Sequence, residues 1–355
     1  MKTLLLILTS IFCFNYIQAQ PLKVGVAGLA HDHVRGLMNQ YQKGEVIILG
    51  IAEADQSLVD QYRKNYHLDN SIFYKSVPEM LQHIKPDVVL AYNPIADHLS
   101  VIEACAPKGI SVMVEKPLAT TVEQANRIKT LVDEFHIQVL TNYETTWYPS
   151  NQKIFEMARS GNEIGPIRRM VVHDGHQGPK EIGCSPDFLN WLTDPEKNGG
   201  GAIMDFGCYG ANLMTWLMNN QLPIAVTAYT RHLKPQIYPK VDDDATILLE
   251  YPGAVGVIEA SWNWPFGIKD LEVFGQKSYL HALNGHELER RDTNSYYKVE
   301  LRSLTYPDNL SYLAAVLRGQ TSASHDLSSL ENNLIVVRIL EAARQSAKEG
   351  KRIEL

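Results

Sequence analysis

The chain has 355 residues, 45% of them hydrophobic, and a formal net charge of −7. That length exceeds what one small core supports and points to two domains. No Lys/Arg-rich block or basic stripe occurs, which excludes nucleic acid from the expected partners.

Residues 1–19 read as a secretory leader. Lys2 is the only charge, Leu4 to Phe14 is mostly apolar, and the small Ala19 precedes Gln20. The apolar run is too short for a membrane span, and the bulky Phe12 before Cys13 argues against a lipoprotein. Cleavage after Ala19 implies a periplasmic or secreted protein with no membrane span. Cys105, Cys184 and Cys208 then remain; their odd number and irregular spacing suggest core or near-core thiols.

From Lys23 the chain alternates. Lys23–Gly28 is a strand running into a glycine turn, and His33–Lys43 a helix. Glu45–Ala52 is a strand closed by Glu53, followed by helices at Ser57–Tyr66 and Val77–His83. Asp87–Ala91 is a strand, His98–Ala106 a helix, Ile110–Val114 a strand, Thr121–Phe135 a helix and Gln138–Leu140 a strand. Strands alternating with helices give a doubly wound parallel sheet of Rossmann type, an α/β domain over residues 20–142. Residues 143–355 read differently. Strands at Ile167–Val172, Ala225–Tyr229, Ala245–Glu250, Val255–Ser261 and Lys269–Phe274 predict a second α/β domain with a large, mostly antiparallel open sheet. A last helix spans Leu327–Lys348 and is placed to reach back to the first domain.

Lys116 ends the apolar strand before it, in Glu115-Lys116-Pro117, so it is expected to face a crevice. Ninety residues on, Gly199–Tyr209 carries Asp205 and Tyr209, four apart and on one face if a helix starts near Asp205. Lysine, aspartate and tyrosine in one cleft make a proton-transfer set, with the ammonium lowering the tyrosine pKa. The plainer readings are a surface lysine, a helix-capping aspartate and a core tyrosine.

These pieces together resemble the Gfo/Idh/MocA oxidoreductase family. The resemblance rests on the amino-terminal turn, Asn93-Pro94 with His98, Glu115-Lys116-Pro117-Leu118-Ala119, Asn142-Tyr143, Ile164-Gly165-Pro166-Ile167 and Gly199–Tyr209, in the family's order over nearly the whole mature chain. Tyr209 in place of the commoner histidine resembles the glucose–fructose oxidoreductase and dihydrodiol dehydrogenase branch. The resemblance implies NAD(P)-dependent hydride transfer at a carbohydrate or polyol hydroxyl. It implies Lys116, Tyr209 and Asp205 as the catalytic set, and Asp205 and Tyr143 as substrate contacts. It also implies a homo-oligomer formed through the second sheet.

The cofactor is expected along Gly28, Leu29, Ala30, His31, His33, Glu53, Asn93, Pro94, His98, Glu115 and Lys116. Glu53 can bond ribose hydroxyls and would repel a 2′-phosphate, which favours NAD over NADP. The turn Gly28-Leu29-Ala30-His31-Asp32-His33 departs from G-x-G-x-x-G. Ala30 puts a methyl where phosphate should approach, and His33 a ring where helix and strand should close up. Export adds a demand for tight cofactor binding. His31, Asp32 and His33 invite a metal reading, but one turn rarely directs adjacent side chains to one ion, and the spacing supplies no third partner. Packing or capping is therefore expected there, and no metal. The polar stretch His173–Pro179 offers His176 as a substrate contact. Trp191, Trp262 and Trp264 could stack on a sugar but read as core. Two alternatives stand beside the oxidoreductase: an NAD-assisted glycosidase or lyase working through transient sugar oxidation, and a non-catalytic sugar-binding relic of the fold.

Overall fold

Five of the six residues of β1 (Leu22–Ala27) are buried, so both faces of its sheet must be covered. The structure is a computed structural model and describes residues 20–160 and 162–355; the expected leader lies outside them. β1 joins β2 (Val46–Ala52), β3 (Phe73–Tyr74), β4 (Val88–Ala91), β5 (Ser111–Glu115) and β6 (Val139–Asn142) in a parallel sheet of order β3-β2-β1-β4-β5-β6. The crossovers are α1 (Val34–Gln42), α2 (Gln56–Tyr66), α3 (Val77–His83), α4 (His98–Cys105) and α5 (Val122–Phe135). Side chains of Asp55, Ser76 and Thr121 cap α2, α3 and α5, accepting from backbone N–H groups that the first turn leaves unpaired. The strand order reverses between β1 and β4. The ligand crevice of such a sheet opens there, at the carboxyl ends of the strands.

The second sheet contains β7 (Ile167–Gly175), β8 (Ala225–Arg231), β9 (Asp244–Glu250), β10 (Val255–Ser261), β11 (Ile268–Gly275), β12 (Tyr279–Asn284), β13 (Glu287–Arg291), β14 (Tyr296–Lys298) and β15 (Ile353–Glu354). Their order is β14-β13-β12-β11-β7-β10-β9-β8-β15. Every pairing is antiparallel except β7 with β10. Between β6 and β8 lie α6 (Pro149–Phe155), α7 (Pro186–Leu192), α8 (Pro195–Asn198), α9 (Ala202–Asp205) and α10 (Gly207–Leu217); α11 (Asn309–Leu317) and α12 (Leu330–Glu349) follow β14. All of α10 is buried, as befits a helix apolar on every side. The α/β architecture with an open antiparallel second sheet is as the sequence predicts.

The lobes interlock. Leu310, Leu313 and Val316 of α11 share a core with Val24 of β1, Leu37 of α1 and Leu140 of β6. α12 divides its face: Val337 packs with Ala125 and Leu131 of the first lobe, while Ile339 and Leu340 pack in the second. No helix among the described residues is long and apolar enough to cross a membrane. Cys105 and Cys208 are buried, Cys184 is half-buried, and all three are free.

Candidate active site

Lys116 is buried at the end of β5, and its Nζ donates to Asp205 Oδ1 (2.5 Å) and to the Asp205 carbonyl (2.9 Å). Trp262, fully buried, donates its indole N–H to Asp205 Oδ2 at 3.0 Å. Burial opposes both charges, but the pairing outweighs it: the Lys116 pKa is raised and the Asp205 pKa lowered. Removing either partner would strand the other's charge.

One continuous helix through Asp205 and Tyr209 is not what forms. Asp205 ends α9, the chain breaks at Phe206, and Tyr209 lies in α10. Asp205 does not cap either. Asp242, on the loop before β9, does so: its Oδ1 accepts from Gly201 N–H (2.9 Å) and its Oδ2 from Ile203 N–H (2.7 Å). A Cβ on Gly201 would stand 1.8 Å from the Asp242 carbonyl oxygen, so only glycine allows this approach. Arg344 of α12 then ties the two catalytic loops together, donating to the carbonyls of Gly199 (2.7 Å) and Thr120 (2.5 Å).

Tyr209 is buried between two ammonium groups. Lys116 Nζ is 4.9 Å and Lys269 Nζ 4.4 Å from its ring centroid. Burial, together with Asp174 and Glu144, still pushes the phenol pKa well above its usual value. The expected lowering by Lys116 is therefore not the net result: burial dominates, and the nearby carboxyl groups, Asp205 among them, add to it. Tyr143 is wholly buried with its ring edge-on to Tyr209 at 5.4 Å. It packs against Tyr209 as a support for that ring.

A second charged set was not read from the sequence. Asp174 and Lys269 face each other across β7 and β11, and Lys269 is ion-paired with Glu144. Asp174 is 1% exposed, and its Oδ1 has no hydrogen-bond partner among the described residues. Burial pushes its pKa up to about 8, with Lys269 and Lys116 opposing and Glu144 and Asp205 assisting. His176, half-buried beside this set, accepts from Gly178 N–H at 2.9 Å and lies edge-on to Phe206. Burial lowers its pKa.

On the cofactor side, Gly28 has φ +82°, and a Cβ there would stand 2.9 Å from the backbone of Asn93. Asn93 and Pro94 lead into the short helical turn before His98. Glu53 accepts from Leu29 N–H at 2.9 Å and from Asp55 N–H at 2.8 Å, which holds its carboxylate beside the turn. This end of the crevice fits the adenosine ribose of a dinucleotide. The phosphate end differs from the usual pattern. His31 N–H donates to the Tyr92 carbonyl (3.0 Å) and His33 N–H to His31 Nδ1 (3.2 Å), so α1 starts only at Val34.

The second lobe buttresses the same turn. Trp191 donates to the Ala30 carbonyl (3.2 Å), Asp32 accepts from Ser185 N–H (2.8 Å), and Phe188 packs on His31. His33 does not crowd the strand as its position suggested. Its side chain is 45% exposed and swings to Glu115, with Nδ1 2.9 Å from Oε2. Burial works against the Glu115 charge, yet His33, Asn142 and Lys116 hold its pKa below the usual range. His98 braces its loop: wholly buried, its Nδ1 meets the Leu118 carbonyl at 3.1 Å, and burial lowers its pKa to about 4.

A Rossmann lobe joined to an open antiparallel sheet, with a lysine–carboxylate pair and a tyrosine at the junction, defines a two-domain oxidoreductase architecture. The chain belongs to the GFO/IDH/MocA family: residues 22–143 match its oxidoreductase domain with an NAD-binding Rossmann fold, and residues 152–281 match its C-terminal domain. D-xylose 1-dehydrogenase [NADP(+)] of Haloarcula marismortui is 26% identical over 197 residues, 55% of this chain. The chain spans 53% of that relative's length and 58–64% of the trans-1,2-dihydrobenzene-1,2-diol dehydrogenases it also matches. The fold is shared with an inositol dehydrogenase homolog from Azotobacter vinelandii complexed with NAD+ (TM-score 0.80, 18% identity, 95% of this chain and 98% of that one). It is shared too with an aldose-aldose oxidoreductase from Caulobacter crescentus complexed with glycerol (TM-score 0.78, 20% identity, 94% and 100%).

Proposed function

We propose that this is an exported oxidoreductase that moves hydride between a tightly held NAD and a carbohydrate or polyol hydroxyl. The observation that carries this reading is the buried Lys116–Asp205 pair beside Tyr209, at the carboxyl end of β5 where this fold opens its ligand crevice. When bound, NAD supplies the hydride acceptor or donor. Tyr209 takes or returns the hydroxyl proton. Lys116, kept charged by Asp205, stabilises the oxygen as negative charge develops. Asp174, protonated below about pH 8, can donate to a neighbouring hydroxyl. Glu53 at the ribose end favours NAD over NADP.

The names of similar proteins support the substrate class: a xylose dehydrogenase, dihydrodiol dehydrogenases and an aldose-aldose oxidoreductase. In an exported protein, a cofactor kept through the cycle needs a second substrate that takes or returns the hydride to reset it. The outer face of the second sheet exposes apolar side chains, including Tyr229 and Leu248, and is the surface for self-association.

Denaturing the purified protein and analysing the supernatant by mass spectrometry should release NAD. No dinucleotide, and none taken up on titration, would refute the redox reading and leave a sugar-binding protein on this fold. A second reading, redox-assisted glycoside cleavage, is favoured by the Lys269–Glu144–Asp174 set. Removing a proton from carbon beside a transient carbonyl requires a base besides Tyr209. Glycoside cleavage without net NADH would select it.

A further inference from the structure

We propose that His31, His33 and Glu115 form a mononuclear site for a divalent transition-metal ion of the zinc type, at the carboxyl edge of the first sheet. One ligating atom from each residue lies within 4.8 Å of the other two. The third partner that the spacing of His31 and His33 could not reveal comes from 82 residues downstream, at the end of β5. Two imidazoles and one carboxylate are a ligand set that zinc uses, with a fourth position left open.

The local backbone serves this convergence. Because α1 begins only at Val34, residues 31–33 stay in a turn, and the two imidazole rings stand 4.4 Å apart between centroids. His33 makes no side-chain cap to the helix it precedes, so capping does not explain its presence. Phe188 and Trp191 pack against the His31 ring and fix it. Asn142 donates to Glu115 Oε1 at 2.9 Å, which orients the carboxylate and leaves Oε2 for the ion. Support of this kind from a neighbouring amide is typical of metal carboxylates.

Binding exchanges existing contacts for metal bonds. The ion displaces the proton shared by His33 Nδ1 and Glu115 Oε2, 2.9 Å apart. Ligation by His31 through Nδ1 replaces the 3.2 Å contact from the His33 amide. Ligation through Nε2 puts the ring proton on Nδ1 and gives up the same contact. His33 and Glu115 line a cavity of about 390 Å³ with Tyr92, Asn142, Glu144 and Trp147. That space admits the water or anionic oxygen a fourth position requires.

The inference does not rest on the dinucleotide reading, and its readout is separate. Untagged full-length protein is stripped with chelator, desalted and titrated with Co²⁺. One equivalent should bind with the visible bands of a four- or five-coordinate ion, and one equivalent of Zn²⁺ should abolish them. His33→Ala and Glu115→Gln should each weaken Co²⁺ binding about 100-fold or more, with unchanged far-ultraviolet circular dichroism showing that they fold. Wild-type protein that binds no Co²⁺, or binds it no more tightly than the variants, overturns the proposal. Dinucleotide without metal would sink this site and leave the function standing; metal without dinucleotide would do the reverse.

Discussion

Two ionic arrangements flank Tyr209, and they are balanced differently. On one side Lys116 meets one carboxylate, Asp205, whose second oxygen is satisfied by Trp262. On the other, Lys269 is ion-paired with Glu144, and its cross-strand neighbour Asp174 keeps an oxygen with no partner among the described residues. Matched charges remain charged in a dry site because each supplies the other's solvation. A surplus carboxyl there holds its proton instead. Around one phenol, the fold therefore offers a fixed ion pair and a titrating acid.

The largest break in this comparison is Lys116→Met. It strands the Asp205 carboxylate, so stability should fall by about 3–5 kcal/mol, read from urea midpoints, and activity on a panel of aldoses and polyols should vanish. An unchanged midpoint would mean that the pair is not closed. Tyr209→Phe comes next. It should lower turnover by about 10²–10⁴-fold with dinucleotide content and melting temperature near wild type; full turnover would move proton transfer to another group.

Asp174→Asn probes the titrating side. The folded pKa of Asp174 is raised from 3.8 to about 8, so between those values the unfolded chain has released a proton that the folded chain keeps. Stability relative to the Asn variant should be highest below about pH 4. It should fall by a few kcal/mol as pH rises towards about 8, and stay level above. A flat difference curve would show that Asp174 is solvated. Glu144→Gln should do least. Removing that charge and freeing Lys269 should lower the Asp174 titration point by roughly one unit or less, visible as a shorter sloping region; an upward shift would contradict the arrangement.

Much of the fold could be read before any coordinates. Buried parallel strands such as Val88–Ala91 are continuous apolar runs, and capping residues such as Thr121 mark helix starts. Lys116, Asp205 and Tyr209 stood out because each sits in a short motif with a fixed place in the chain. What escaped was pairing across distance. Asp174 meets Lys269 only through the register of β7 and β11, and an alternating strand pattern does not disclose its neighbour. Glu115 meets His33 because β5 and the turn after β1 end at the same edge of the sheet. The start of α9 was hidden because its cap, Asp242, is supplied by a distant loop.

Arg344 gives the last helix an importance that its position in the chain conceals. A single guanidinium fastens the Thr120 carbonyl to the Gly199 carbonyl, and so splices the segment bearing Lys116 to the one bearing Asp205. A protein clipped before residue 330 would retain every reacting side chain and lose the clasp that holds them in register. The same cut would take Val337 from the first lobe's core and Ile339 and Leu340 from the second's, so the helix that aligns the site also holds the lobes together.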